Sequence, residues 1–298
     1  MALVRLTLDN FTGFDAATLE LGAPLTVLTG QGDEKSHALF VLYALYQAGE
    51  AARTGAAAVA DGSSDPMSLV EAVFEPEDPA DLLGAREGDG SKVNLVYETS
   101  TGARVEVGYG LDEDGDPTGK LSFLEPGTDR SRAVLLPEDD VLDALSARAE
   151  AGRQGFPDDL DRVTLDLCRL LDDGASEGDE RSLSPALGAA LLAMRTVLGG
   201  PVVSRGRDLF VGDRDVRTLP VSLRSLAQLE RLLGSRRLAQ GDLLLWDRPD
   251  PTLAETLRGC WQSLAAGGIQ IVLALDDVAS ARALAVGSAG QVALASVP

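Results

Sequence analysis

A short apolar run, Leu25-Thr26-Val27-Leu28-Thr29, stops at Gly30 and continues as Gln31-Gly32-Asp33-Glu34-Lys35-Ser36. Beyond it Ala38, Leu39, Leu42, Leu45 and Tyr46 recur at helical spacing. The order strand, glycine loop, Lys-Ser, helix constrains this chain more than any other feature. It is the physical recipe for a phosphate cradle. Backbone N–H groups turn inward, the helix N-terminus adds positive potential, the lysine reaches terminal phosphates and the serine binds magnesium. Such a cradle needs a partner, a buried strand that ends in an aspartate able to hold the metal. Leu243-Leu244-Leu245-Trp246 running into Asp247 has that form. Gly30, Gly32, Lys35 and Ser36 are therefore the candidate nucleotide-binding residues, with Asp247 and Ser36 the candidate magnesium pair. Two bland alternatives stand beside them: Lys35-Ser36 as a plain helix start, and Asp247 as a strand-end cap of the next helix.

Composition sharpens the point. Asp and Glu number 47 against 26 Lys and Arg, a net charge of −21. Such a surface repels nucleic acid over most of its area, so no direct nucleic-acid contact is expected of the isolated chain. A GC-rich genome and adaptation to high salt would each produce this balance. Lysine occurs only at Lys35, Lys92 and Lys120, so one in a glycine-bearing loop stands out. Two cysteines, Cys168 and Cys260, exclude a disulfide framework and a four-cysteine zinc site, and both sit on apolar helical stripes as expected of core residues. The lone histidine, His37, excludes any mechanism that needs a pair; a solvated or helix-capping role is expected of it. No apolar run approaches the ~18 residues of a membrane span, and the N-terminus reads as a strand, so a cytoplasmic protein without membrane contact is expected.

The remaining pattern is that of a layered α/β protein with an antiparallel insert. Leu3–Asp9 alternates with Val4, Leu6 and Leu8 on one face, and Thr18–Leu21 forms a second strand. Residues 50–66 read as a loose connection. Strands are expected at Leu69–Phe74, Val93–Glu98, Arg104–Tyr109, Leu121–Leu124 and Ala133–Leu136. Residues 138–199 are mostly helical, with an acidic Gly/Ser loop between Asp172 and Arg181. A hairpin at Pro201–Ser204 and Leu209–Val211 precedes a helix at Ser222–Ala239. The chain then reads as strand Leu243–Asp247, helix Leu253–Ala266, strand Ile269–Leu275, helix Val278–Val286 and strand Gln291–Ser296. Asp112-Glu113-Asp114-Gly115-Asp116 has its glycine too early for a calcium loop and reads as an acidic hairpin turn.

The opening Val4-Arg5-Leu6-Thr7-Leu8-Asp9-Asn10-Phe11-Thr12-Gly13-Phe14 resembles the start of SMC/RecF-type ATP-binding-cassette ATPase heads. Gly241–Asp250 resembles their second phosphate-site motif, and Gly268–Asp277 the strand that ends in their switch histidine. Leu135-Leu136-Pro137-Glu138 and the helices after it look like the stand-alone AAA-type branch, which has no coiled coil. The resemblance spans nearly the whole chain and is weakest over residues 50–90. It implies a P-loop NTPase fold with a mixed core sheet, an antiparallel β insert and a helical lobe. On that plan residues 1–135 are the first lobe, 136–200 the helical lobe and 201–298 the return to the core sheet, together one composite domain. It also implies face-to-face pairing of heads around ATP and magnesium.

The motifs depart from the family's pattern at the points that carry its chemistry. Gly30 and Lys35 enclose four residues, Gln31, Gly32, Asp33 and Glu34, one fewer than the family's loop. Glu34 stands where the family has glycine, so two carboxylates are expected in a nest built for an anion. Arg248 occupies the catalytic glutamate position and Asp276 the switch histidine position. Arg248 is expected to pair with Asp247, Asp250 or Asp276, as an internal cation in place of the metal. The signature segment falls at Val221–Ala227, with Val221-Ser222 where Glu-Gly is expected. The expectation is a degenerate, hydrolysis-deficient head, a pseudoenzyme that serves as a structural or regulatory partner. It would pair with itself, with an intact ATPase paralogue or with an effector such as a nuclease. Retained Lys35, Ser36 and Asp247 keep open an active ATPase in DNA repair or anti-phage defence.

Overall fold

The computed structural model describes residues 2–30, 32–54, 65–86, 90–99, 101–123, 131–138, 141–150, 160–172, 183–206, 208–250, 253, 256–285 and 292–296. Of the loose connection expected over 50–66, residues 50–54 belong instead to a helix that ends at Thr54; its centre (55–64), Gln31, Leu124, the acidic loop (173–182) and Gln291 lie outside the described residues.

An antiparallel sheet opens the fold. Strands β1 (Ala2–Phe11), β2 (Phe14–Glu20), β4 (Ser91–Glu98), β5 (Arg104–Leu111) and β6 (Pro117–Phe123) pair in the order β2-β1-β4-β5-β6. Leu6 and Leu8 face the core as the alternation requires, but Val4 does not, and Leu3 takes its place. The register between β1 and β4 shifts between Leu3 and Arg5, and such a bulge re-aims the side chains beyond it. At the β5–β6 turn the Asp112 carboxylate accepts from the N–H groups of Asp114 and Asp116, the expected acidic hairpin turn.

Leu69–Phe74 forms part of a helix, α2 (Pro66–Phe74), and not the expected strand. Proline at its first turn fits there at no cost, and Asp65 caps it by accepting from Ser68 N. Leu69, Val70 and Val73 then share one buried face, a spacing that an apolar run this short cannot distinguish from a strand.

The second sheet is wholly parallel. Strands β3 (Leu25–Thr29), β7 (Ala133–Leu136), β11 (Leu243–Asp247), β12 (Gln270–Leu275) and β13 (Val292–Ser296) lie in the order β13-β3-β12-β11-β7. Both faces are covered, which is why these strands read as continuous apolar runs. Leu28, Leu243, Leu245, Val272 and Ala274 face α1 (Glu34–Thr54) and the antiparallel sheet. Val27, Leu244, Trp246, Ile271 and Leu273 point the other way, into a second core. That core is closed by α3 (Leu142–Glu150), α4 (Arg162–Asp172), α5 (Pro185–Leu198), α6 (Val221–Gly234), α7 (Arg258–Ala266) and α8 (Val278–Ala285). The helix expected over Ser222–Ala239 stops at Gly234. A hairpin of β8 (Val202–Arg205) and β9 (Asp208–Val211), the short β10 (Arg214–Asp215) and 3-10 turns at Pro79–Leu82 and Val216–Thr218 complete the described elements. Gln270 ties the sheets together: its Nε2 donates to Leu21 O at 2.6 Å. Cys168 and Cys260 are free and buried. No described helix is long and apolar enough to cross a membrane.

Candidate functional site

Four adjacent parallel strands end on one edge. Gly30 follows β3, Asp276 follows β12, Arg248 follows β11, and Pro137-Glu138 follows β7. In an open parallel sheet the carboxyl ends of the strands are where a ligand crevice forms. The fold therefore gathers sequence-distant residues by topology alone, with α1 beginning at the same edge.

Lys35 is fully buried, at 0% exposure. Its Nζ donates to Gly30 O at 2.9 Å and Gly32 O at 2.8 Å, and it pairs with Asp276 Oδ1 at 3.0 Å. An ammonium has three N–H donors, and here three acceptors meet them. Asp276, from the end of β12, thus acts on the loop lysine directly.

Arg248 reaches across the same edge. It pairs with Asp33, with Glu138 at 2.8 Å and, through Nε, with Asp276 at 3.7 Å. Its Nη2 also donates to Gly32 O at 3.2 Å. One guanidinium fork so joins the glycine loop, the segment after β7 and the end of β12. Asp276 is one of the partners expected from the sequence; Asp33 and Glu138 are not, because their approach depends on sheet order. Among the described residues Arg248 makes no ion pair with its neighbour Asp247, which its charge reaches only through space, and its backbone lies in the left-handed region at φ 44°. The hydrogen bond and charge of Arg248 hold the Asp33 carboxyl below its ordinary value, and the same contacts raise Arg248 further.

The two loop carboxylates do not share one nest. Asp33 turns to Arg248, while Glu34 folds back over the glycines. A Cβ on Gly32 would lie 2.5 Å from Glu34 Oε2, and one on Gly13 would lie 3.0 Å from its Oε1. Gly32, at φ 72°, has a backbone conformation that favours glycine. Glu34 stands in the first turn of α1, where a carboxylate is stabilised by the helix dipole. Its carboxylate lies against Gly13 and Gly32, with Oε2 buried and without a hydrogen-bond partner.

The candidate magnesium pair is arranged differently. Ser36 Oγ donates to Asp247 Oδ1 at 2.8 Å, with both residues buried. Burial pushes the Asp247 carboxyl up to about 6, against the hydrogen bond from Ser36. Asp33, Ser36, His37, Glu138, Asp247 and Arg248 line part of a cleft of about 470 Å³ that continues toward Phe40, Phe74 and Val163. His37 is half-buried: it packs edge-on against Phe74 at 5.8 Å while it lines the cleft, and burial lowers its pKa. Among the described residues no group of three His, Cys, Asp or Glu could hold a metal ion.

No protein-family model matches the sequence, and no curated protein is significantly similar to it. Solved structures do match. An Smc head bound to the C-terminal winged-helix domain of ScpA is 11% identical with a TM-score of 0.57, over 95% of this chain and 92% of that one. A Pyrococcus furiosus-derived Smc head with an extended coiled coil, bound to the C-terminal domain of ScpA, is 8% identical with a TM-score of 0.54. That match covers 95% of this chain and 91% of the other. The fold is that of these Smc heads, an α/β architecture with antiparallel and parallel sheets and a helical lobe. This agrees with the fold class that the sequence motifs imply.

Proposed function

We propose that this chain is an ATPase-like head whose nucleotide cradle is filled by its own side chains, and that it works as a structural or regulatory partner. The observation that carries this reading is the saturation of Lys35 by Gly30 O, Gly32 O and Asp276. A triphosphate would have to replace all three contacts, displace Glu34 from above Gly32, and enter beside Asp33, Glu138 and Asp276. The residues present do not fit it. Ser36 and Asp247 retain the oxygen pair on which a magnesium ion would rest. That pair alone favours the second reading, an ATP-hydrolysing head in DNA repair or defence.

A partner role needs a surface. Two of the exposed large hydrophobics, Val221 at 58% and Val278 at 43%, start α6 and α8. Val221 lies on the signature-like segment and Val278 two residues beyond Asp276. They support pairing through the exposed starts of these two helices, either with a second copy, with an intact head, or with an effector. The Smc heads that share this fold are bound to a protein, ScpA. The net charge of −21 argues against nucleic acid as the direct contact.

Turnover tests the reading. Purified protein with magnesium and ATP is expected to release phosphate no faster than its Lys35→Ala variant, since neither Arg248 nor Asp276 can act as general base for water while paired as described. A robust rate that Lys35→Ala abolishes would establish the second reading in its place.

A further inference from the structure

A separate cavity of about 230 Å³ lies between α5, β8 and the last turn of α6, lined by Arg195, Pro201, Val202, Glu230, Arg231 and Gly234. Arg231 is 7% exposed, and its Nε is buried with no hydrogen-bond partner. Among the described residues its guanidinium makes no ion pair. The neighbouring carboxylate is already spent: Glu230 accepts from Arg195 Nε at 2.7 Å and from Val202 N at 3.1 Å. Glu230 thus serves Arg195 and the β8 backbone, and among the described residues it makes no ion pair with Arg231.

This is anomalous on two grounds. A guanidinium does not lose its proton inside a protein, so Arg231 cannot escape burial by neutralising itself. An N–H such as its Nε, buried without an acceptor, forfeits a hydrogen bond that water would have supplied. The chain also carries 47 acids against 26 bases, so a carboxylate of its own would be the easiest partner to supply. The negative end of α6 offsets the charge only in part, because helix-dipole effects are confined to the last turn. The cavity has room for an anion and some of its water, at about 30 Å³ per water molecule in the liquid. A planar fork of N–H donors fits the oxygens of a phosphate or carboxylate.

We infer that this cavity is a binding site for a small oxyanion, with Arg231 its principal ligand and Arg195, held in place by Glu230, the second cation of its wall. The site is independent of the nucleotide edge, whose cleft is lined by other residues.

Thermal melts of the full chain in a buffer free of oxyanions test this, with inorganic phosphate and acetate titrated separately. Sodium chloride holds the ionic strength constant. Phosphate or acetate is expected to raise the melting temperature saturably, as a ligand of the folded state does, and the two arms tell tetrahedral from planar ligands. In Arg231→Met the apparent affinity should fall at least tenfold; in Lys35→Met it should be unchanged. Without any oxyanion, Arg231→Met should melt no lower than the parent, because it removes an uncompensated charge. Gly234→Leu provides the second variant. A Cβ at Gly234 meets nothing closer than 3.8 Å, so a larger side chain fills the cavity while both arginines remain, and the shift should vanish. The inference is overturned if neither oxyanion outdoes chloride. It is equally overturned if the shift survives Arg231→Met or Gly234→Leu, or disappears in Lys35→Met.

Discussion

Lys35 and Arg231 are both buried cations in an acidic chain, and the two regions that hold them solve the same problem in opposite ways. Lys35 has every donor matched by the loop that carries it and by Asp276. Arg231 lines a cavity, its Nε unpartnered. The first looks like a phosphate ligand in the sequence and is closed in the structure. The second sits in no motif and is open. A cation's capacity to take an anion is therefore read from its unspent donors, and the motif around it says only where the backbone goes.

Arg53 sharpens the contrast most strongly. It is a third buried cation, held by Glu50 at 2.6 and 3.0 Å, and Glu50 also accepts from Tyr97 at 2.9 Å and Ser131 at 3.0 Å. Removing one member of a buried pair strands the other, at a cost of about 3–5 kcal/mol. Arg53→Met should lose about that much in urea unfolding, whereas Arg231→Met should lose nothing. Similar losses for both would dissolve the distinction between paired and unpaired cations.

Asp247 gives a smaller effect of the opposite sign. Burial raises its folded pKa to about 6, above the value of about 4 expected when unfolded. The folded state therefore binds that proton more tightly, and the group's contribution to stability falls as pH rises from about 4 through 6. Asp247→Asn mimics the protonated form and keeps an oxygen for Ser36. It should match the parent near pH 4 and exceed it by about 1–2 kcal/mol at pH 7.5. A difference that does not change with pH would mean that the carboxylate is compensated where it stands.

Much of the frame was legible in sequence because both sheets announce themselves by burial. The parallel strands appear as unbroken apolar runs, and Asp247 and Gly30 mark their carboxyl ends. Lys35, Ser36 and Asp247 lie at one edge of the parallel sheet, and Arg248 and Asp276 meet there too. What sequence could not show is who pairs with whom. Glu138 and Asp33 reach Arg248 only because β7 lies beside β11 and α1 starts at the same edge. Leu3 displaces Val4 from the core through a bulge that alternation cannot register. Leu69–Phe74 is too short for its period to be read, although Asp65-Pro66 ahead of it is a helix-start signal. Arg231 left one trace, a charge beside the leucine stripe of α6 next to Glu230, but its lack of a partner is a property of three dimensions.

Calorimetric titration of magnesium–ATP into the protein, in phosphate-free buffer and beside its Lys35→Met variant, tests most directly whether the cradle is occupied by the chain itself. The expected result is no saturable heat that depends on Lys35 up to millimolar nucleotide, because each phosphate contact would have to displace Gly30 O, Gly32 O or Asp276. A micromolar dissociation constant in the parent that Lys35→Met abolishes would contradict it, and would show that these three contacts yield to phosphate.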